Sequence, residues 1–298
     1  MFRQSLWSIA SAACFSVMAA FVKLVSDQFG PIELIFYRSL FGVLFIAFMV
    51  RGTGVTLKTH RLMDHLLRSS LGILSIALWF FALPRMDFGA CMTLTYTTPI
   101  FLAAWFIGRA LVRHEKAPWK VTGAILAGFA GIVAVVQPSF AADEAVPAMA
   151  CILLSLIDMA VYWQMKRLGD MGEPSMRIVF YFTVFGTIFG LLGTYLFEGG
   201  LHMPTPENAL GLLGIGLMAT LGQIAVTRAY AQGNMLLSSC LGFLAIPISA
   251  VIGFICFGDR FSAAALLGML LITVSGLFAT VFTKREEAQA RSEGKAAA

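Results

Sequence analysis

The sequence predicts an all-α fold: a polytopic membrane protein whose ten transmembrane helices form two inverted five-helix repeats. The first supporting observation is composition, because 59% of the 298 residues are hydrophobic and only 12% are charged, whereas a soluble domain carries about 25% charged residues. The second is a series of apolar stretches close to the roughly 20 residues that a helix needs to cross a bilayer. The third is a set of motifs that occurs once in each half of the chain.

Ten stretches are apolar enough to span, and short connections join them. The first, residues 5–25, shares a single Arg and small residues with signal peptides, but its apolar run continues past any plausible cleavage position, so we predict a retained helix. The other nine are residues 32–50, 66–83, 88–107, 121–136, 146–165, 178–197, 209–231, 235–257 and 263–282. Residues 1–283 are thus one predicted transmembrane domain. The polar residues 284–298 predict a disordered cytoplasmic tail.

The internal repeat predicts the arrangement of these helices. Gly42 returns as Gly186 at an offset of 144 residues, and Pro99 returns as Pro247 at an offset of 148. Each half holds five crossings, and an odd number makes the second half begin on the opposite side of the membrane, which inverts it relative to the first. The predicted repeats are residues 1–140 and 141–283.

The basic residues predict the orientation. Of the 21 Lys and Arg residues, only Lys23, Arg85 and Arg260 fall on the side opposite the amino terminus. Arg38 is the one cation predicted inside the membrane, and Arg68 is counted with the residues on the amino-terminal side. Because Lys and Arg concentrate in cytoplasmic loops, we predict that both termini are cytoplasmic.

Two of the predicted spans, residues 88–107 and 235–257, contain a proline near their middle. Proline removes a backbone donor and clashes with the preceding turn, so each helix should bend or break there. Interrupted segments at corresponding positions of two halves indicate the binding site of a transporter. We expect Pro99 and Pro247 each to free the carbonyl one turn earlier and to act as the hinges of two gates.

The interrupted helices also give the sequence its family resemblance. The motifs Thr97-Thr98-Pro99 and Ala245-Ile246-Pro247 are each followed by an acidic turn, with Glu115 and Asp259, and by a glycine-spaced last helix. In these features nearly the whole chain resembles the drug/metabolite transporter superfamily, specifically the ten-helix carriers of the EamA type. Within it, the chain is most similar to bacterial exporters of aromatic and neutral amino acids. The resemblance implies export of small metabolites by alternating access across the bacterial inner membrane.

Asp158 is the most informative single residue, because an intramembrane carboxylate is costly and by default indicates a functional site. Tyr162 lies one turn later on the same helical face, with Trp163 beside it. We expect these residues to bind a substrate, with Asp158 holding an ammonium group or carrying a proton. The alternative for Asp158 is a structural hydrogen bond to a neighbouring helix. Arg38 could hold a substrate carboxylate, pair with Asp158 or extend outward to the membrane surface.

Further candidates are polar or aromatic residues close to the interrupted helices. Tyr96 and Thr97 present hydroxyl groups next to the first break, and Ser239 does so near the second. Trp79 lies one helix from Tyr96, where it could contact substrate or belong to the interfacial belt of aromatic residues. Gln223 is polar within an apolar run and is a candidate to line the pathway.

Several classes of function are disfavoured. The five cysteines fall inside apolar segments without a CxxC or Cys/His cluster, so we expect no metal and no cofactor. Asp158 is the only carboxylate predicted inside the membrane, whereas an intramembrane aspartyl protease needs two. No HExxH, nucleophile elbow or Walker motif occurs, and we predict that the protein is not an enzyme. The net charge of +5 is small and gives no reason to expect a nucleic-acid partner.

The substrate class is less closely defined. Few charges inside the membrane argue against polyanions, which need several Arg or Lys residues. One acid, one base and many aromatic residues fit a zwitterionic amino acid or another amphipathic metabolite in a lipid-embedded carrier. The alternatives are export of lipophilic cations, as by a multidrug carrier, and a passive channel. Glycine patterns allow close helix packing, either within the chain or in a homodimer.

Overall fold

The computed structural model describes residues 2–52, 54–86, 91, 94–114, 119–136, 145–257 and 262–296, and within these ranges it contains helices and no strand. Seven helical segments are long and apolar enough to cross a membrane. Three shorter apolar helices accompany them: Thr98–Val112, Trp119–Ala134 and Leu266–Phe282. The predicted all-α, polytopic fold is therefore confirmed.

The helices follow the predicted order. In the first half they are α1 (Phe2–Ser5), α2 (Trp7–Val25), α3 (Pro31–Val50), α4 (Leu62–Ala82), α5 (Thr98–Val112) and α6 (Trp119–Val136). In the second half they are α7 (Ala145–Asp170), α8 (Ser175–Phe197), α9 (Pro206–Gln232), α10 (Met235–Gly242), α11 (Ala245–Phe257) and α12 (Ala263–Ala296). A turn of 3₁₀ helix, Leu83–Arg85, extends α4. The acidic turns predicted at Glu115 and Asp259 lie outside the described residues.

Two helix ends differ from the prediction. Helix α4 begins at Leu62 rather than at residue 66, because Asp64 and His65 lower the hydropathy of its first turn although an acid is favourable there. Arg68 is therefore nearly two turns inside α4 and only 1% exposed, not at a membrane surface as expected. Helix α12 continues to Ala296 through residues predicted to be disordered. That segment is rich in Ala, Glu, Lys, Arg and Gln, which are strong helix formers.

The strongest helix contacts join the two halves. Helix α2 packs on α9 and α4 on α7, while α3 packs on α8 and α6 on α12. The counterparts of α2 and α9 in the other half are α7 and α4, so the α2–α9 and α4–α7 pairs are equivalent. Helices α3 and α8 are counterparts of each other, and so are α6 and α12. Close approach at Gly131 supports the α6–α12 pair, since a Cβ there would lie 2.8 Å from the Gly268 carbonyl oxygen. This pattern is expected of two repeats related by a twofold axis.

The first interrupted helix breaks just before its proline, which is the second residue of α5. The carbonyl that Pro99 leaves without a helical donor is that of Thr95. It is not free, because Ser155 Oγ of α7 lies 2.9 Å from it and 3.0 Å from the Leu94 carbonyl oxygen. Thr97 Oγ1 also donates to the Leu94 carbonyl at 2.8 Å. The expectation of an unpaired carbonyl at this break is therefore wrong, since polar groups satisfy the backbone, as lipid cannot.

The second interrupted helix has a similar break with different partners. Helix α10 ends at Gly242 and α11 begins at Ala245, so Pro247 lies in the first turn of the new helix. The carbonyl opposite Pro247 is that of Phe243, and it accepts the backbone N–H of Ile246 at 3.0 Å. Ser16 of α2 donates to the Ala245 carbonyl at 3.2 Å. The expected free carbonyl is absent here as well.

Polar clusters hold the two ends of the α3–α8 pair. At one end the Glu198 carboxylate accepts the N–H groups of Ile32 and Glu33 at 2.9 and 2.8 Å, which caps α3. Glu33 itself is buried and accepts a hydrogen bond from the backbone N–H of His202. These carboxylates tie the start of α3 to the end of α8 and to the chain that follows α8.

At the opposite end, Glu173 precedes α8 and contacts Thr59, His65 and Arg177 at 2.9, 3.3 and 3.0 Å. Burial raises the pKa of Glu173, but these hydrogen bonds and the Arg177 charge outweigh it, and the net pKa lies below its ordinary value. A carboxylate with a depressed pKa contributes stability above its unfolded pKa and loses it as the pH falls through the folded value. This cluster therefore stabilises the fold at neutral pH.

Candidate functional site

A cavity of about 130 Å³ lies between the two halves of the protein. Its walls come mainly from α2, α4, α7, α9 and α10, with additions from α3, α8 and the start of α5. Its main polar and aromatic lining residues are Arg38, Arg68, Ser75, Trp79, Tyr96, Asp158, Tyr162, Phe182, Gln223, Tyr230 and Ser239. One acid, two bases and several rings thus line the same cavity.

Asp158 lies near the middle of α7 and lines the cavity. Ser75 of α4 donates a hydrogen bond from its Oγ to Asp158 Oδ1 at 2.5 Å. This is the interhelical hydrogen bond considered as the structural alternative for Asp158. Because the residue also lines the cavity, that hydrogen bond is compatible with a role in binding.

Two arginines meet over one aromatic ring of the cavity wall. The guanidinium carbon of Arg68 lies 4.0 Å from the centroid of the Phe182 ring, and that of Arg38 lies 5.8 Å from it. Arg68 Nη2 donates to Gln223 Oε1 at 3.1 Å. A cation over an aromatic face is stabilised by the ring quadrupole, more so when water is excluded. Arg38 is therefore held inside the protein rather than extended to the membrane surface.

Aromatic side chains form the apolar part of the lining. Tyr162 of α7 and Tyr230 of α9 stack with ring centroids 3.9 Å apart and planes 11° apart. Tyr96 lines the cavity just before α5. Trp79 is 8% exposed, and its indole N–H has no hydrogen-bonding partner. These rings offer flat apolar surface next to the charged groups.

Three predicted residues do not line the cavity. Trp163 packs instead against Phe106 and Trp105, with ring centroids 5.9 and 6.3 Å away. Thr97 uses its hydroxyl on the Leu94 carbonyl, as described above. Pro247 lies in α11 away from the cavity, whereas its counterpart Pro99 is part of the wall.

The structure adds lining residues that sequence reasoning missed. Arg68 was placed too near the membrane surface because the start of α4 was predicted four residues late. Phe182 is an ordinary apolar residue in the sequence, but its ring lies beneath both guanidinium groups. Tyr230 lies seven residues after Gln223, two turns along the same face of α9. That spacing was the signal that could have identified Tyr230.

The cavity offers no recognisable metal centre. No group of three or more His, Cys, Asp or Glu side chains comes together within the described ranges. Cys91 and Cys151, whose sulfur atoms are 3.7 Å apart, pack in the apolar core away from the cavity lining. The arrangement suits recognition of a small polar molecule with an apolar ring.

Comparison with known proteins finds sequence similarity to membrane transporters. The model of the EamA-like transporter family matches residues 3–137. The pseudopaline exporter CntI of Pseudomonas aeruginosa is 26% identical over 91% of this chain and 93% of its own length. A riboflavin transporter of Vibrio cholerae is 26% identical over 97% of this chain and 96% of its own length.

The fold has a counterpart among solved structures. A crystal structure at 18% identity covers 95% of this chain and 99% of its own, with a TM-score of 0.77, and shows the fold alone. The names of the two relatives do not refer to amino acids, so the finer resemblance to amino-acid exporters stays a prediction. Together, the comparisons show that this chain is similar over nearly its whole length to bacterial membrane transporters, and in residues 3–137 to the EamA-like transporter family.

Proposed function

We propose that the protein exports small amphipathic metabolites of amino-acid type across the bacterial inner membrane by alternating access. The observation that carries this proposal is the cavity between the two halves, where Asp158, Arg38 and Arg68 lie among aromatic rings. A zwitterion with an apolar side chain offers a matching set of groups. Both termini are proposed to be cytoplasmic, on the distribution of basic residues.

Different residues of the cavity are suited to different groups of the proposed substrate. Asp158 is suited to an ammonium group, because an opposite charge in a water-poor site is a strong partner. Tyr162 and Tyr230 are suited to a flat apolar side chain through stacking. Rocking of one repeat against the other would open the cavity to each side in turn, as in other carriers built from inverted repeats. The interrupted helices next to the cavity are the proposed gates.

The relatives bear on the substrate only in part. One is named as an exporter and the other as a riboflavin transporter, which favours a metabolite with a planar or amphipathic body. Lipophilic cations are the second candidate class, since Asp158 and the aromatic lining would also suit them. A passive channel is the third and least favoured, because paired interrupted helices are typical of carriers.

Counterflow in proteoliposomes tests the proposal. Vesicles loaded with unlabelled phenylalanine should take up labelled phenylalanine in a saturable manner, and Asp158→Asn should lower the rate about tenfold, or about 1.4 kcal/mol. Asp170→Asn is the matched control, because it makes the same change in the same helix outside the cavity, at a carboxylate paired with Lys166.

Two outcomes would contradict the proposed function, and a third would contradict the role of Asp158 in it. Uptake of tetraphenylphosphonium without uptake of any amino acid would favour the multidrug class. Flux that does not saturate and shows no counterflow would indicate a channel. Unchanged transport in Asp158→Asn at all pH values would leave that residue with a structural role only.

A further inference from the structure

We infer that Arg38, Arg68 and the Phe182 ring form a carboxylate-binding subsite within the central cavity. The inference rests on the proposed function in one respect, namely that this cavity is where substrate binds. It names the group that the substrate must carry, which neither the fold nor the relatives specify. The subsite lies on α3, α4 and α8, with Gln223 of α9 at its edge.

Both arginines are buried and have N–H groups without a hydrogen-bonding partner. Arg38 is 3% and Arg68 is 1% exposed. Arg68 Nη2 is bonded to Gln223, but its Nε and Nη1 have no hydrogen-bonding partner, and neither has Arg38 Nε. Buried polar groups are nearly always hydrogen-bonded, and an exception calls for an explanation. A ligand that accepts hydrogen bonds from these groups would provide one.

Charge is the second argument. In the described part of the chain neither arginine forms an ion pair with a carboxylate. Asp158, the acid in the cavity lining, lies close enough to interact with the Arg68 charge, but it is hydrogen-bonded to Ser75 and forms no ion pair with either arginine. A buried cation without a counter-ion is strongly unfavourable. Two arginines share the cavity with one acid, so the carboxylate of a bound substrate would supply the second negative charge and leave Asp158 for a group of opposite charge.

Local packing is the third argument, because it holds the Arg68 guanidinium in place. A Cβ added at Gly72 would lie 2.7 Å from Arg68 Nη1 and 3.0 Å from the Phe182 ring. Glycine at position 72 therefore leaves the space in which the guanidinium lies against the ring. The guanidinium suits a carboxylate because its planar, fixed donors can bind both oxygens.

The chemical class follows from these neighbours. An aromatic or similarly flat carboxylate can place its anionic end on the arginines and its ring near Tyr162, Tyr230 or Trp79. A cation without a carboxylate would meet two positive charges at close range. The subsite therefore argues against lipophilic cations, the second candidate class for this protein.

Ligand-dependent thermal stability of the detergent-purified protein tests the subsite without any need for transport. The probes are 3-phenylpropionate and 3-phenylpropionamide, which share a ring and chain and differ in the charged group. A ligand that binds the folded but not the unfolded state raises the melting temperature, by an amount that grows with the logarithm of the ligand concentration relative to its Kd. We expect the acid to bind at least tenfold more tightly than the amide.

Three variants sharpen the test. Arg68→Gln should lower the affinity for the acid at least tenfold and leave the affinity for the amide within about twofold. Gly72→Ala keeps every charge and is compatible with a helix, yet it should weaken binding of the acid because the added methyl group displaces the Arg68 guanidinium. Arg228→Gln is the matched control, because that guanidinium also lies over a ring, Trp7, at 5.0 Å, but outside the cavity lining.

The outcomes separate the subsite from the transport proposal. Equal stabilisation by acid and amide, no stabilisation by either, or an unchanged preference in both Arg68→Gln and Gly72→Ala would overturn the subsite. Phenylalanine counterflow could still occur in those cases, and the transport proposal would stand. A clear preference for the acid without counterflow of any substrate would support the subsite and contradict the proposed transport function.

Discussion

The two interrupted helices break at equivalent places but satisfy their backbones differently. At the first break, the hydroxyl of Ser155 on α7 lies 2.9 Å from the Thr95 carbonyl oxygen and 3.0 Å from that of Leu94, which also accepts the backbone N–H of Thr97 at 3.2 Å. At the second, the carbonyl of Phe243 is satisfied within its own turn, and Ser16 of α2 contributes one bond at 3.2 Å. The cross-helix partners α7 and α2 are themselves counterparts in the two halves.

The first break depends on a hydrogen bond from another helix, whereas the freed carbonyl of the second break is satisfied within its own turn. Moving α5 relative to α7 would take Ser155 away from the Thr95 carbonyl, for which lipid offers no replacement, while the Leu94 carbonyl would keep the N–H and hydroxyl of Thr97. The turn at the second break keeps most of its hydrogen bonds wherever α2 moves. A shared fold and a shared proline therefore do not give the two proposed gates equal freedom. Bending of the second helix should cost less than displacement of the first.

The largest expected effect concerns the serine donors. Ser155→Ala should lower the free energy of unfolding by about 2 kcal/mol, because an unsatisfied buried polar group costs about 1–3 kcal/mol. Ser16→Ala should cost about 1 kcal/mol, the ordinary value of one hydrogen bond. Denaturation of the purified protein in detergent measures both.

Thr273→Val is the control for these two variants, since that hydroxyl bonds only within α12 at an exposed position. Its substitution should change stability little. Equal losses for Ser155→Ala and Ser16→Ala would show that the two breaks depend equally on their neighbours.

The prolines give the next effect, on rate rather than stability. In Pro247→Ala the new N–H can compete for the Phe243 carbonyl and straighten the helix, so exchange should slow about tenfold, or about 1.4 kcal/mol. In Pro99→Ala the Thr95 carbonyl is already engaged by Ser155, and we expect a loss of about threefold, or about 0.65 kcal/mol. Counterflow rate and substrate affinity measured together separate gating from binding.

Pro206→Ala is the matched control, because Pro206 begins α9 without interrupting a helix. Full exchange rates in both Pro99→Ala and Pro247→Ala would rule out hinges at these positions. A larger loss in Pro99→Ala than in Pro247→Ala would reverse the proposed difference between the gates.

The smallest effect concerns the helix that leads into the second break. Asn234 caps α10 by accepting the N–H of Leu237 at 3.0 Å, whereas no side chain caps the start of α5. Asn234→Ala should cost about 1 kcal/mol, and Asn234→Gly only a few tenths. Thermal unfolding of the two variants measures these losses of stability, and equal losses in both would show that the cap contributes little.

Sequence reasoning succeeded where hydropathy alone decides the outcome. The ends of α3 (Pro31–Val50) and α8 (Ser175–Phe197) fall within three residues of the prediction, because their apolar runs are sharply bounded. The interruption before Pro99 was predicted from the loss of one donor. Its partner was not, because Ser155 comes from a helix more than fifty residues later and only packing brings the two together.

The site was predictable only in part, for a related reason. Asp158 is conspicuous since a charge in an apolar run needs an explanation, and it lines the cavity. Arg68 follows Asp64 and His65 closely and looked like part of a polar helix end. The Tyr162–Tyr230 stack joins helices of ordinary composition, which carry no signal of contact. Residues that stand out in sequence were recognised, and those defined by their neighbours were not.

The paired arginines also have an electrical consequence. A guanidinium stays protonated under all ordinary conditions, so Arg38 and Arg68 outnumber Asp158 and leave the empty cavity positive. A membrane potential that is negative inside acts on such a charge with about 2.3 kcal/mol per 100 mV for a full crossing, and proportionally less for a partial one. The resting potential should therefore favour the state in which the empty cavity is open to the cytoplasm, the side from which the proposed export would load substrate. Ser11 of α2 lines the cavity and can report this opening. A cysteine in its place, in a chain whose five native cysteines are replaced, should react faster with a thiol reagent added from inside when such a potential is imposed. A rate independent of potential would contradict this bias.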